Sequence, residues 1–136
     1  MYPAELTIPM EKDLTEFGFG PLKDSDQVES AIKTKGTSLL IINSVCGCAA
    51  GNARPGVKHS LNNDKKPDNL YTVFAGVDRE AVDKVREHFL PYPPSSPCIA
   101  LLKDGQIVHF LERRHIEGNT AQAIAANLQD AYNTHC

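Results

Sequence analysis

The sequence predicts an α/β fold in which a mixed sheet is covered by helices on both faces. Helical and strand-like patterns alternate along the 136 residues, and the connections in the first half are long enough for parallel crossovers. Near the end, Asp104-Gly105 separates two apolar runs, which is typical of an antiparallel hairpin. A parallel half followed by a hairpin predicts a three-layer α/β/α sandwich.

Composition and charge exclude several classes of partner. The chain is 41% hydrophobic and 23% charged, which fits one folded domain over residues 1–136. A formal charge of −3 and the lack of a basic, aromatic-rich run give no reason to expect nucleic acid. We find neither a signal-peptide pattern nor an apolar run long enough to span a membrane, and we therefore expect a cytoplasmic protein.

The first element is predicted to be a helix that ends before two glycines. Met10, Leu14 and Phe17 have helical spacing, and Gly18 and Gly20 would stop the helix.

A short strand and a second helix follow. The strand is expected within residues 19–22, and the helix from about Asp26 to residue 35. Asp26 and Glu29 resemble a capping box, and Gly36 is a C-terminal stop.

Residues 39–45 predict a central strand, because they are apolar without alternation, as in sheets covered on both faces. The following residues 49–61 predict a helix. Gly51, Pro55 and Gly56 oppose a regular helix, so we expect a kink at Pro55.

The next part of the chain is predicted to contain a strand, a helix and a proline-rich break. A polar turn at 62–67 precedes a strand at 70–77, and Asp78 is placed to cap a helix that ends near Phe89. Residues 90–97 contain four prolines and cannot form regular structure.

The chain ends with a hairpin and a helix. The hairpin strands are expected at 98–103 and 106–111. The last helix, from about 119 to 132, has an apolar stripe at i, i+3 and i+4 spacing.

Cys46-Gly47-Cys48 is the segment that carries chemistry. It lies between the predicted central strand and the following helix. Unpaired N–H groups and the helix dipole stabilise an anion at such a position, and for cysteine that anion is the nucleophilic thiolate. In a cytoplasmic protein, where structural disulfides are rare, such cysteines indicate redox chemistry or metal binding.

The single residue between the cysteines also matters. A disulfide across one residue closes a smaller ring than one across two, so it should be strained, more oxidising and easily reduced. Gly47 has no Cβ and can adopt the backbone angles that such a ring requires. The spacing favours transfer of a small thiol or disulfide shuffling over strong reduction.

Other interpretations of the cysteines remain open. The pair could be buried and inert, or could bind zinc or copper with His59, although no second cysteine or histidine pair completes a tetrahedral set. Cys98 is expected in the core, with an approach to the active site as the alternative. Cys136 is either a further resolving thiol or an exposed tail without a role.

Two basic segments have a less specific meaning. Arg54 could raise the positive potential near the cysteines or contact an anionic thiol ligand, and a solvated helix charge is the default. The cluster at 113–115, Arg-Arg-His, is expected to be a solvated loop.

The arrangement resembles the thioredoxin fold. The cysteine pair lies between a central strand and a proline-interrupted helix, Pro97 immediately precedes the first hairpin strand, and a terminal helix follows. In that fold the proline is cis and packs beside the cysteines. The resemblance therefore implies a cis Ser96–Pro97 bond.

A closer likeness is to the bacilliredoxin family. It rests on NSVCGCAAGNARP at 43–55, PSSP at 94–97, the Asp-Gly turn, and the stretch around IEG at 116–118. The resemblance implies a thiol–disulfide oxidoreductase, without a bound cofactor, that removes bacillithiol from oxidised proteins, with disulfide isomerisation as a further activity. Cys46 would attack and Cys48 would resolve.

We expect further residues to bind the substrate beside the two cysteines: Gly47, Ser96, Pro97 and Arg54. The alternatives from other classes are a thiolate protein that binds or carries a metal, and an interaction module with vestigial cysteines.

Overall fold

A five-stranded mixed sheet forms the middle layer of the protein. In the computed structural model, which describes residues 2–136, the strands are β1 (Gly20–Pro21), β2 (Thr37–Asn43), β3 (Asn69–Phe74), β4 (Cys98–Lys103) and β5 (Gln106–Leu111). Their order in the sheet is β1-β3-β2-β4-β5. The β1–β3 and β2–β3 pairs are parallel, and the β2–β4 and β4–β5 pairs are antiparallel. The predicted mixed sheet is confirmed.

Helices cover both faces of this sheet. They are α1 (Ala4–Thr15), α2 (Ser25–Ile32), α3 (a π-helical segment Ala49–Ala53 continued by Arg54–Ser60), α4 (Arg79–Phe89), α5 (Arg113–Ile116) and α6 (Ala121–His135). No helix within residues 2–136 is long and apolar enough to cross a membrane.

Two hydrophobic cores separate the three layers. Along β2, Leu39 and Ile41 face a core shared with α1, α3 and α6. Leu40 and Ile42 point the other way, into a core shared with α2 and α4. Because successive strand residues face opposite sides, an unbroken apolar strand fills both cores. The predicted α/β/α sandwich is confirmed.

Two details of the N-terminal helices differ from the prediction. Phe17 lies beyond the end of α1 and is 51% exposed, with the Lys58 ammonium 5.3 Å from its ring. The cap of α2 is Asp24 and not Asp26, because the Asp24 carboxylate accepts a hydrogen bond from the Gln27 N–H at 2.9 Å. A capping side chain must precede the first turn, and Asp26 lies inside it.

The irregularity in α3 takes a different form from the predicted kink. The first turns are π-helical over Ala49–Ala53, and the regular helix begins at Arg54. Pro55 lacks the N–H that an α-helical bond to the preceding turn needs, and a π segment just before it absorbs this loss.

Asp78 is the N-cap residue of α4, as predicted, but its side chain makes no capping hydrogen bond. Its carboxylate accepts a bond from the Phe74 N–H at 3.0 Å and lies 3.3 Å from the Lys23 ammonium. It therefore closes the turn after β3, which ends at Phe74 and not near residue 77.

The C-terminal half contains the predicted hairpin. Asp104 and Gly105 have positive φ angles of 49° and 83°, as the turn requires. The Ser96–Pro97 bond is cis, as predicted, and so is Leu90–Pro91. Helix α5, which the sequence analysis treated as a loop, follows β5 directly.

Candidate active site

The Cys46-Gly47-Cys48 segment lies where β2 gives way to α3. The Cys46 carbonyl accepts bonds from the N–H groups of Ala49 and Ala50 at 3.0 and 3.2 Å, and helical structure begins at Gly47. Both thiols are unpaired and partly exposed. The pair can therefore meet a substrate at the helix start.

The loop before β4 reaches the same edge of the sheet. Ile42 near the end of β2 pairs with Cys98 at the start of β4. Pro97, which is buried, and Ser96, which is partly buried, therefore lie beside the segment that carries the cysteines. The fold brings the predicted residues Cys46, Gly47, Cys48, Ser96 and Pro97 into one region.

The two thiols differ in acidity. Burial acts to raise the pKa of Cys46, but hydrogen bonds to its thiolate from Cys48, Ser44 and the backbone outweigh burial and lower that pKa. Burial also raises the pKa of Cys48, and there the hydrogen bond and the charge of Cys46 act in the same direction. Cys46 is therefore the first to ionise, while Cys48 keeps its proton.

Ser44 fixes the geometry around Cys46. Its hydroxyl oxygen accepts a hydrogen bond from the Cys46 N–H at 3.1 Å. Ser44 is buried, and its own N–H donates to the Asn43 side-chain oxygen at 2.8 Å. The backbone before the nucleophile is thus held by bonds that do not involve solvent.

Arg54 joins the same network from α3. Its Nη1 donates to the Asn43 Oδ1 at 3.0 Å and to the Ser44 carbonyl at 2.9 Å, and its Nε lies 3.5 Å from an Asp13 carboxylate oxygen. Arg54 is only 5% exposed. The expectation of a solvated helix charge is therefore wrong.

Arg54 acts on the Cys46 thiolate through its charge. Burial lowers the pKa of Arg54, while the negative charges of Asp13 and Cys46 raise it. By reciprocity, the Arg54 charge favours the Cys46 thiolate. Its Nη1 is occupied by Asn43 and Ser44 and is not free to contact a ligand.

Gly47 is exposed and has no positive φ angle in the dithiol form. A Cβ built on it meets no atom within 4 Å. The reduced protein therefore accepts a side chain at this position, and the predicted need for glycine concerns only the disulfide form.

The other cysteines lie away from this chemistry. Cys98 is 1% exposed within the core shared with α2 and α4, as expected, and burial raises the pKa of its thiol to about 12. Cys136 is exposed at the end of α6.

Helices α3 and α6 run in the same direction. Asn52 bonds the carbonyl of Ile116 before α6, and Ser60 bonds the Tyr132 hydroxyl near its end. Since α6 has 15 residues, its end lies about 22 Å from its start. Cys136 therefore cannot reach Cys46 while α6 is intact.

The part of the chain that the structure describes contains no set of ligands for a metal ion. His59 is exposed on α3. Among residues 2–136, no three His, Cys, Asp or Glu side chains are grouped so that they could hold a metal ion.

Arg113 is a site residue that the sequence analysis missed. Its N–H donates to the Ser95 hydroxyl at 3.3 Å and its Nη1 to the Ser96 carbonyl at 3.4 Å. Its charge acts on both Cys46 and Cys48. A basic residue directly after the last strand was the available signal, but only the fold places it beside the thiols.

Solved structures share this fold at low sequence identity. A reduced thioredoxin pre-protein of Schistosoma mansoni is 14% identical, with a TM-score of 0.58 over 87% of this chain and 98% of that chain. Mitochondrial thioredoxin 3 of Saccharomyces cerevisiae is 15% identical, with a TM-score of 0.54 over 87% and 96%. The predicted thioredoxin-like fold is confirmed.

Sequence relatives cover nearly the whole chain. The family described as disulphide isomerase matches residues 2–136. A bacilliredoxin of Cytophaga hutchinsonii is 58% identical over 97% of this chain and 98% of the relative. A bacilliredoxin of Shouchella clausii is 51% identical over 99% and 94%. Together with the partly exposed thiol pair, these relatives show a thiol–disulfide oxidoreductase, and the chain belongs to the bacilliredoxin family.

Proposed function

We propose that this protein removes a low-molecular-weight thiol from mixed disulfides on oxidised proteins, with Cys46 attacking and Cys48 resolving. The observation that carries the proposal is the opposite displacement of the two pKa values, lowered for Cys46 and raised for Cys48. Bacillithiol is the thiol that the family resemblance implies. We place the reaction in the cytoplasm, where structural disulfides are rare and a cysteine pair in a short motif is more often redox-active.

The first step transfers the small thiol. The Cys46 thiolate attacks the small-thiol sulfur of the mixed disulfide, a Cys46–S–S–R bond forms, and the protein sulfur leaves as a thiolate that takes up a proton. The substrate protein regains a free thiol, Cys46 carries the small thiol in its place, and the number of disulfide bonds is unchanged. A partly exposed thiolate suits this attack, because exchange depends on thiolate fraction and access.

The second step frees Cys46 from the small thiol. Cys48 loses its proton and attacks the Cys46 sulfur, a Cys46–S–S–Cys48 bond forms, and the small thiol leaves as a thiolate that takes up a proton. Two molecules of a low-molecular-weight thiol, as external reductant, then return the pair to the dithiol form and leave as their own disulfide. Once Cys46 is in a disulfide, its negative charge no longer opposes ionisation of Cys48.

The neighbouring residues are proposed to seat the substrate. A Cβ on Gly47 would meet no atom within 4 Å, and the loop before β4 brings Ser96 and Pro97 to the same edge of the sheet. Because Arg54 is buried, we propose that it stabilises the Cys46 thiolate through its positive charge and not by contact with the ligand.

The test is release of a labelled small thiol from a reporter protein. Wild type should release it catalytically in the presence of a reducing thiol. Cys46→Ser should abolish release, and Cys48→Ser should retain at least one stoichiometric turnover with an adduct on Cys46. Cys136→Ser is the control and should behave as wild type. Release that persists in Cys46→Ser would reject the proposal.

Disulfide isomerisation is a second candidate, favoured by the family described as disulphide isomerase that matches residues 2–136. An isomerase needs an attacking thiolate that is not immediately consumed, and the protonated Cys48 meets that condition. Reactivation of a scrambled disulfide protein should require Cys46 and should survive Cys48→Ser. No gain over a buffer with thiol alone would exclude this activity.

A further inference from the structure

Arg113 is anchored to the loop that borders the thiol pair. It is the first residue of α5, directly after β5 and Glu112. Its backbone N–H donates to the Ser95 hydroxyl, and its Nη1 donates to the carbonyl of Ser96, next to Pro97. The guanidinium is therefore fixed at the rim of the substrate region.

One edge of this guanidinium remains available. Nε donates to a Glu117 carboxylate oxygen at 2.9 Å, and the bond from Nη1 to Ser96 is long at 3.4 Å. Nη2 makes no hydrogen bond to any residue of the described range 2–136. The side chain is 48% exposed. The Nη1–Nη2 edge can thus receive a ligand.

The charge of Arg113 reaches both thiols. The hydrogen bond to Glu117 raises the pKa of Arg113 most, and negative charge on Cys48 and Cys46 raises it further. Conversely, the Arg113 charge lowers the pKa of Cys48 against the larger effect of burial. Because Arg113 is bonded to Ser96, in the loop that reaches the same sheet edge as the thiols, a group bound at Arg113 would lie on the thiol side of the molecule.

We propose that Arg113 binds a carboxylate of the small thiol while that thiol is disulfide-bonded, first to the substrate protein and then to Cys46. This inference rests on the proposed function and names the substrate feature that the same site selects. Arg113 positions the small-thiol sulfur for attack, and the transfer itself remains the two-step exchange described above.

The surroundings favour a carboxylate over a more highly charged group. The planar guanidinium matches a carboxylate with two parallel hydrogen bonds. Arg113 pairs with Glu117, and the neighbouring Arg114 pairs with Glu112, so two positive and two negative side chains balance here. A polyanion would meet both acidic side chains, whereas one carboxylate need only compete with Glu117.

The experiment compares two small thiols that differ only in charge. One reporter protein is S-thiolated with 3-mercaptopropionate or with its neutral amide, 3-mercaptopropionamide. Single-turnover release is then measured for wild type, Arg113→Gln and Arg114→Gln. Wild type and Arg114→Gln should prefer the carboxylate by about tenfold, a size typical of a charge-assisted bond at a half-exposed site. Arg113→Gln should lower the preference to within about twofold.

Glu117→Gln supplies a change in the opposite direction. It removes the competing carboxylate and frees Nε, so the preference for the carboxylate should rise above that of wild type. Arg113→Lys keeps the charge without the planar fork, and should retain only part of the preference.

The outcomes separate the inference from the function on which it rests. An unchanged preference in Arg113→Gln overturns the role of Arg113, and so does an equal slowing with both thiols, because that indicates an effect on the cysteines alone. If wild type releases neither thiol, the proposed function itself fails. Release of both at equal rates by wild type leaves the function standing and rejects the inference.

Discussion

Cys46 and Cys48 are the same residue type two positions apart, yet their surroundings act on them in opposite directions. Hydrogen bonds from Ser44, Cys48 and the backbone of Ala49 stabilise the thiolate of Cys46. Cys48 experiences that thiolate as a nearby negative charge and holds its proton. One environment thus lowers the pKa of one thiol and raises the pKa of its neighbour, as the proposed roles of attacking and resolving cysteine require.

The acidity difference predicts an order of alkylation with pH. In a Cys98→Ala/Cys136→Ala background, Cys46 should reach its half-maximal iodoacetamide rate at lower pH than Cys48. Cys48→Ala should move the Cys46 midpoint upward, because the thiolate loses its largest stabilising hydrogen bond. Peptide-resolved mass spectrometry gives both midpoints. Coincident midpoints in the parent protein would contradict the assignment.

Arg54 predicts a linked loss of stability and acidity. Arg54→Gln removes a buried charge and bonds to Asn43 and Ser44, which should cost about 1–3 kcal/mol of the free energy of unfolding. It should also raise the Cys46 midpoint. Lys58→Gln is the control, because Lys58 shares Asp13 at 2.6 Å but does not bond Ser44.

Urea unfolding and the alkylation profile measure the two effects of Arg54→Gln. Lost stability with an unmoved Cys46 midpoint would show that Arg54 only holds the structure. A larger shift of that midpoint in Lys58→Gln would point to Asp13 instead.

At the scale of elements, packing against α6 holds α3, the helix that follows the two thiols, in place. The helices approach closely at Gly56, where a Cβ would lie 2.7 Å from the Ile124 Cγ2 and 3.5 Å from the Ala121 carbonyl oxygen. Ile124 is 2% exposed and β-branched, so it has little freedom to move. Gly56 is therefore a packing residue, although in the sequence it reads as a helix breaker.

A matched pair of glycine substitutions tests this packing. Gly56→Ala should destabilise the protein by about 1–3 kcal/mol through overpacking against Ile124. Gly51→Ala, at an exposed position with nothing within 4 Å, should be neutral or stabilise by up to about 1 kcal/mol. Thermal unfolding compares them, and equal effects would refute the close contact.

At the scale of the whole molecule, Cys98 is a third cysteine, which is buried in the folded protein and exposed on unfolding. Cys98 lies in the core between the sheet, α2 and α4, and the pKa of its thiol is raised from 9.0 to about 12. The native protein therefore keeps this proton at pH values where the unfolded chain loses it. Stability from this group is complete below pH 9 and is lost as the pH rises toward 12.

The free energy of unfolding should accordingly fall between pH 9 and pH 12. The Cys98 contribution to the slope is up to about 1.4 kcal/mol per pH unit. Cys98→Ala should show a shallower alkaline slope whatever its absolute stability, whereas Cys136→Ala, at an exposed position, should keep the slope. Identical slopes in wild type and Cys98→Ala would show that the buried thiol is not responsible.

Local patterns were enough to predict most of the fold and the position of the thiol pair. The apolar run of β2, the Asp104-Gly105 turn and the Cys46–Cys48 spacing each signal their structure within a few residues. Arg54 and Arg113 could not be assigned in this way. Arg54 is bonded in the interior to Asn43, 11 positions away in the sequence. Arg113 comes to lie near the thiols only when β4 and β5 pair.

One trapping experiment tests most directly whether the acidic thiol of Cys46 takes over the small thiol. The Cys48→Ser variant, in which Cys46 is the only active-site thiol, is mixed with a reporter protein that is S-thiolated by bacillithiol. The intact mass of each protein is then measured by mass spectrometry. We expect a reporter that is lighter by one bacillithiol and an enzyme that is heavier by one, attached at Cys46. A covalent enzyme–reporter heterodimer, or an unchanged enzyme mass, would contradict this expectation.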